Sequence, residues 1–360
     1  MRIVPFLFLF HLAWSTQAQK LTIELNLSNA EKTLEILNSE TTEDKVYHEL
    51  VQLEATKALI KKLETSDTLL IKALKQTVQN KGLVSGFEQF QYHQIKMEKD
   101  SLRSFVSHLK KEGLRLSHRL DQNLSKFLPE EKPVKIELVG ILGGNASGYT
   151  FGDADKFYLS LHHMGGDLDY LFDFCQHEIF HNIQAIQFDA EHVLEQLKGE
   201  NAENKDYILF YLVNSLFSEG TATYIDDWEN KPLTKANETA KRRNTVNKNR
   251  LKSTNYMFDR LIVALEKEPT WEGLNALYRI FFTTQFNEAG YYLGKVITTY
   301  TLQAGDNTLL YYLKNPPTLL LLDYFEHAKN DPDAPLKFTE RFMEIIRSLH
   351  HKVKLTIQGN

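Results

Sequence analysis

Apolar residues recur at intervals of three and four along most of this chain, and three short stretches break that rhythm. Leu21-Thr22-Ile23-Glu24-Leu25 alternates apolar and polar side chains, the two-residue period of a strand. Val134 to Ile141 and Phe157 to Leu161 read as strands from their branched and aromatic content, with the turn-rich Gly143-Gly144-Asn145-Ala146-Ser147-Gly148 between them. Helical spacing fills the rest. Ser28 with Glu31 three residues on reads as a capping box opening a first helix, and further helices are predicted at 43–64, 67–80 and 86–126. After Gly165-Gly166, Asp167 is the expected N-cap of a long helix from Leu168 to Glu195, and another runs from Asp206 to Trp228. Helices alternate with short loops from there to about 350. The pattern predicts a mainly α protein with a small β-sheet, of α+β class, in which residues 19–130 form a helical N-terminal region. No spaced self-similarity supports a repeat architecture.

The first residues follow a different rule. Met1 and Arg2 give a short positive start, Ile3 to Trp14 is a nearly unbroken apolar run, and Thr16-Gln17-Ala18 places small residues where a signal peptidase reads. The expectation is a signal peptide over 1–18, cleaved after Ala18, and a secreted or periplasmic mature protein. About a dozen apolar residues are too few to span a bilayer, so no stable membrane insertion is expected.

Composition adds constraints. The chain has 360 residues, a net charge of -5 and few Gly and Pro for its length, as a globular, helix-rich protein would. That charge gives no reason to expect nucleic acid or an anionic membrane as partner. Cys175 is the only cysteine, so no internal disulfide can form, and its place on an apolar helix face marks it as a small buried hydrophobe. Asn26, Asn123, Asn145 and Asn237 begin glycosylation-type tripeptides. The basic stretch between Lys231 and Lys252, with Lys241, Arg242 and Arg243, reads as a solvated face or as a docking patch for an acidic partner.

Candidate chemistry sits in the long helix. His177-Glu178-Ile179-Phe180-His181 places two imidazoles four residues apart, on one helical face, where both can aim at one metal ion. Glu178 lies about 100° round the helix from His177 and can reach a water at that ion without occupying the ion itself. The flanking sequence is helical and free of Gly and Pro, and the strand ending at Leu161 is expected to be the edge strand of a cleft. A third histidine would need to follow at a position held by Gln187, and the accompanying glycine at one held by Gln184, so that option is excluded. Glu219, in Ser218-Glu219-Gly220-Thr221-Ala222, instead follows an apolar run in the next helix. A carboxylate buried there without a partner is costly, whereas a metal keeps it ionised and satisfied. Gly220 and Ala222 are expected to let this helix approach the first closely. Asp173 and Asp226 are candidates to orient the histidines, the plain alternative being solvent-facing acids.

The histidine motif and the later Glu-Gly-x-Ala segment together resemble the gluzincin superfamily of zinc peptidases, and most closely bacterial domain-of-unknown-function families described as zinc-dependent peptidases. The resemblance spans about Lys135 to Tyr324, including Gly290-Tyr291-Tyr292-Leu293-Gly294-Lys295. It implies a zincin-like catalytic domain over 131–355, with its active-site helix beside a short sheet. It also implies Zn2+ held by His177, His181 and Glu219, Glu178 as general base, Tyr291 or Tyr292 steadying the oxyanion, and a peptide or protein substrate. The acid that holds a substrate amine in the aminopeptidase branch has no counterpart in Gly143-Gly144-Asn145-Ala146-Ser147. A zincin-fold binding protein without catalysis is the alternative, and retention of Glu178, which metal binding does not need, argues against it.

Overall fold

The computed structural model describes residues 19–39, 43–79, 85–130, 133–151, 155–199, 204–226, 231–234 and 237–358. The expected signal peptide, 1–18, lies outside them. The three stretches that depart from helical spacing become strands of one small sheet, β1 (Leu21–Asn26), β2 (Val134–Ile141) and β4 (Lys156–Ser160), joined by a two-residue β3 (Gly148–Tyr149). The order is β1-β2-β4-β3, with β1 and β4 parallel to β2 and β3 antiparallel to β4. The edge strand beside the cleft is therefore β3 rather than the expected stretch ending at Leu161. The turn-rich loop folds back far enough to add Gly148 and Tyr149 opposite Leu159 and Tyr158, which makes β4 an interior strand.

A parallel pair needs a crossover, and here α1 (Ser28–Ser39), α2 (Asp44–Gln52), α3 (Glu54–Lys62), α4 (Asp67–Gln79), α5 (Tyr92–Met97) and α6 (Lys99–Leu124) make it. The sheet thus joins both sides of the boundary at 130. Helix α6 lies along β1 and closes its open edge, since Asp121 Oδ1 accepts the Leu21 N–H at 2.7 Å and Ser117 Oγ accepts the Ile23 N–H at 2.9 Å.

Local side-chain bonding shifts several helix ends. The Ser28–Glu31 capping box is absent because the Ser28 hydroxyl donates to Asn26 Oδ1 at 2.7 Å and the Glu31 carboxylate pairs with Lys110 at 2.7 Å. The helix expected over 43–64 breaks at Leu53, which is extended (φ -63, ψ 135). The one expected over 86–126 breaks at Gln91, whose backbone is left-handed (φ 55). Asp167 does cap α7 (Leu168–Gln187), accepting from the amides of Asp169 and Tyr170. That helix stops eight residues earlier than expected, since Phe188 is extended and Asp189 accepts the His192 N–H to start α8 (Ala190–Lys198). Amides of three of the glycosylation-type asparagines, Asn26, Asn123 and Asn237, are held in internal hydrogen bonds.

Helix α9 (Lys205–Asp226) is apolar on every side, and such a helix must be buried all round. It packs against α7 and α8 on one side and, on the others, against α10 (Glu238–Lys267), α11 (Trp271–Phe282), α12 (Ala289–Ala304), α14 (Thr318–Ala328) and α15 (Glu340–Gln358), with α13 (Leu309–Leu313) between α12 and α14 in the chain. The closest approach is to α12. A Cβ on Gly220 would stand 2.4 Å from Gly294 Cα, and one on Gly294 would stand 2.3 Å from the Leu216 carbonyl oxygen. Gly220 therefore serves contact with α12, not with the histidine helix as its neighbourhood to Glu219 suggested. Thr221, one residue on and about 100° round, is the one that faces α7, through Gln184. No helix among the described residues is long and apolar enough to cross a membrane.

Replacing Gly220 by Ala must push α9 and α12 apart. The expected loss is about 1–3 kcal/mol or more, read as a lower urea midpoint at unchanged slope; an unchanged midpoint would mean that the two backbones are not in contact.

Candidate metal centre

Helix α7 presents His177 and His181 one turn apart, with ring centroids 4.9 Å from each other. Helix α9 crosses it so that Glu219 Oε2 lies 3.4 Å from the Nε2 atoms of both. One ligand atom from each of the three residues falls within a 4.8 Å set, and no other such group occurs among the described residues. A tetrahedral zinc shell with bonds of about 2.05 Å separates neighbouring ligand atoms by about 3.3 Å. The two nitrogen-to-oxygen separations match that edge length and the nitrogens lie within 4.8 Å of each other, so the donor set is of a kind and size that could hold the ion.

The far side of each ring decides which nitrogen can face a metal. His177 Nδ1 is 2.6 Å from Asp226 Oδ2, and a carboxylate only accepts, so Nδ1 carries a proton and Nε2 is the nitrogen left to face a metal. His181 is oriented through Gln184. The Gln184 amide nitrogen donates to the Ser218 carbonyl at 2.9 Å and to Thr221 Oγ1 at 2.7 Å. That orients Gln184 Oε1 as the acceptor for His181 Nδ1 at 2.8 Å, and the Ser218 hydroxyl donates to the same oxygen. Both histidines thus present Nε2 to Glu219. Gln176 adds a brace, donating to the Ile225 carbonyl in the last turn of α9, where Asp226 is placed.

Four ionisable groups crowd this point, and burial opposes charge on each. For His177 burial lowers proton affinity, but the charge and hydrogen bond of Asp226, with help from Glu219, outweigh it and hold the ring well above its ordinary value. Burial is likewise outweighed at His181, by Glu219. Glu219 is the converse case. Burial raises it, and the two histidines bring it far below the usual carboxylate range. Glu178 is raised by burial, with the histidines only partly opposing.

His177 and Glu178 open onto a cleft of about 300 Å³, while His181 lines a second hollow of about 180 Å³ with Phe188 and Leu313. Ser147 and Gly148, from the loop and edge strand, reach the first cleft, so that part of the loop does face the centre. Tyr291 enters from α12 and stacks on His177 with the rings 6.0 Å apart and 10° from parallel. Burial, then the charges of Glu219, Glu288 and Glu178, raise its phenol well above the ordinary value, so it remains a donor. Tyr292, about 100° further round the helix, faces away into another cavity of about 690 Å³ lined with Lys295 and Tyr300. Of the two tyrosines only Tyr291 is brought to the centre. Asp173 does not orient a histidine either, because it pairs with Lys231 at 2.8 Å. Cys175 is buried and free. The supporting roles of Gln184 and Ser218 have no motif in the sequence beyond position, Gln184 sharing a helical face with His181 and Ser218 preceding Glu219.

Two outcomes follow from this geometry. Asp226→Asn removes the charge that orients His177 and should weaken zinc binding roughly ten- to a hundredfold, measured by competition with a chromophoric chelator on protein whose unfolding transition is intact. Raised histidines hold protons that a metal must displace. Zinc affinity should therefore fall as pH is lowered from about 8 to about 6, with protons released on binding across that range; a flat affinity profile would contradict the assignment of these rings as ligands.

No curated protein and no solved structure matches the chain. A family model does, over residues 45–333, most of the sequence and all of the metal centre. The chain belongs to that family, DUF5700, described as "putative zinc dependent peptidase".

Proposed function

We propose that this protein is an exported zinc metallopeptidase of the gluzincin type that hydrolyses peptide bonds in a peptide or protein substrate. The observation that carries the reading is the convergence of His177 Nε2, His181 Nε2 and Glu219 Oε2, with the other nitrogen of each ring already committed to an internal acceptor. Bound there, zinc supplies Lewis acidity to a peptide carbonyl and to the attacking water. Glu178, beside His177 and facing the cleft, takes the proton of that water and returns it to the leaving amine. Its raised proton affinity suits a group that must both take and give a proton. Tyr291 offers a protonated phenol over His177, placed to donate to the oxygen on which negative charge develops. Export rests on the N-terminal sequence alone, and neither composition nor charge calls for a nucleic-acid partner.

Glu178→Gln keeps the size of the side chain and removes the base. The variant should bind zinc one to one by elemental analysis and lose about a hundredfold or more in turnover of a peptide library. Cleavage equal to wild type, or wild-type cleavage indifferent to chelator, would sink the proposal.

A further inference from the structure

The cleft beside the metal centre carries one feature that metal binding and proton transfer do not use. Arg243, near the start of α10, is the only Lys or Arg lining it among the described residues, and its side chain is only 24% exposed, whereas Arg242 beside it faces solvent. The basic stretch around it therefore divides, with a single guanidinium turned inward. Arg243 forms an ion pair with Glu288 through Nη1. Asn244, also in the lining, has a buried Nδ2 with no partner among the described residues.

Glu288 and Asn287 before it both hold left-handed backbones, φ 53 and 63, without being glycine. Each such residue costs on the order of 1 kcal/mol and persists only where its surroundings hold it. Here Asn247 of α10 donates to the Asn287 carbonyl at 2.7 Å, and the Glu288 N–H is fixed on Thr283 O at 3.0 Å. Although Glu288 occupies the N-cap position of α12, its side chain caps no amide there. The strained turn instead delivers that carboxylate to Arg243.

We propose that Arg243 and Asn244 form a carboxylate-binding subsite, which holds a free carboxylate of the peptide substrate, an acidic side chain or the C-terminus, in the cleft next to the metal centre. This rests on the peptidase reading for the identity of the ligand. The chemistry favours an acceptor. The negative charge of Glu288 is already met by Arg243, and of the two buried lining atoms without a partner among the described residues, Asn244 Nδ2 is a donor, while Asp226 Oδ1 belongs to a carboxylate already paired with His177. A guanidinium presents five N–H groups in a planar fork, more than one carboxylate can accept from, so a second carboxylate can share it with Glu288. Glu178, Asp226 and Glu288 make the rest of the lining acidic, and without Arg243 the cleft would repel such a ligand.

The test compares wild type, Arg243→Met, Arg243→Lys and Asn244→Leu, all zinc-loaded, on degenerate peptide libraries with free or amidated C-termini, and cleavage positions are read by mass spectrometry. Wild type should favour a carboxylate at one fixed distance from the scissile bond. Loss of cleavage on amidation identifies the C-terminus as its source; an Asp or Glu preference that survives amidation identifies a side chain. The preference over neutral peptides should fall roughly ten- to a hundredfold in Arg243→Met, less in Arg243→Lys, and several-fold in Asn244→Leu. Should Arg243→Met not fold, Asn244→Leu, which breaks no internal bond, decides. No carboxylate preference in wild type, or one unchanged in the variants, overturns the proposal. A second arm measures binding of the same libraries to Glu178→Gln protein by retention on the immobilised protein. If wild type cleaves nothing, the peptidase reading fails while this arm still reads the subsite: carboxylate-dependent retention abolished by Arg243→Met supports it, and retention without that dependence, or none, overturns it.

Discussion

An ionised carboxylate in the middle of a helix buried on every side is the constraint around which this protein is arranged. Glu219 sits in α9 among Phe210, Leu212, Val213 and Leu216, where an unpaired charge would cost several kcal/mol. The cost is met from one direction only, by the imidazoles of α7. This ties the crossing of α7 and α9 to these residues, since only here do both imidazoles reach the carboxylate. A divalent cation at the same point would answer the charge more completely than two imidazoles can, and the two nitrogen-to-oxygen separations match the edge of its shell.

Holding that crossing in place falls to groups at a distance from the donors. Asp226, two turns along α9, fixes His177, and Gln184, one turn along α7, fixes His181. Each helix thus orients a ring using a residue of the same or the facing helix, at whole-turn spacing, so that the ligands and their supports move as one body. On the opposite side of α9, Gly220 and Gly294 let α12 come into backbone contact. Tyr291 reaches over His177 only because no side chain separates these helices. The same close approach positions the turn before α12, where Asn287 and Glu288 are held against α10 and Arg243. Metal centre, phenol and guanidinium therefore share one mechanical support.

Much of the architecture was legible from local sequence. Both longer strands after Pro133 and the cap at Asp167 follow from branched residues, turn residues and a short acceptor side chain, all of which act within a few positions. The helix breaks at Leu53, Gln91 and Phe188 are not legible in this way, because no Gly or Pro announces them and a side-chain bond such as that of Asp189 competes with the next helical turn.

For the centre itself, the spacing of His177, Glu178 and His181 needed nothing beyond the helical repeat, and the cost of burying Glu219 pointed to it as their partner. The sequence by itself thus determined the donor types and which helices carry them, because those depend on period and polarity. Only the tertiary structure decided that Asp226 and not Asp173 supports a histidine, that Tyr291 and not Tyr292 faces the cleft, and that β3 forms the edge. These are choices between neighbours of equal composition. They turn on which face of a helix or strand meets which partner, and that depends on contacts between residues tens of positions apart.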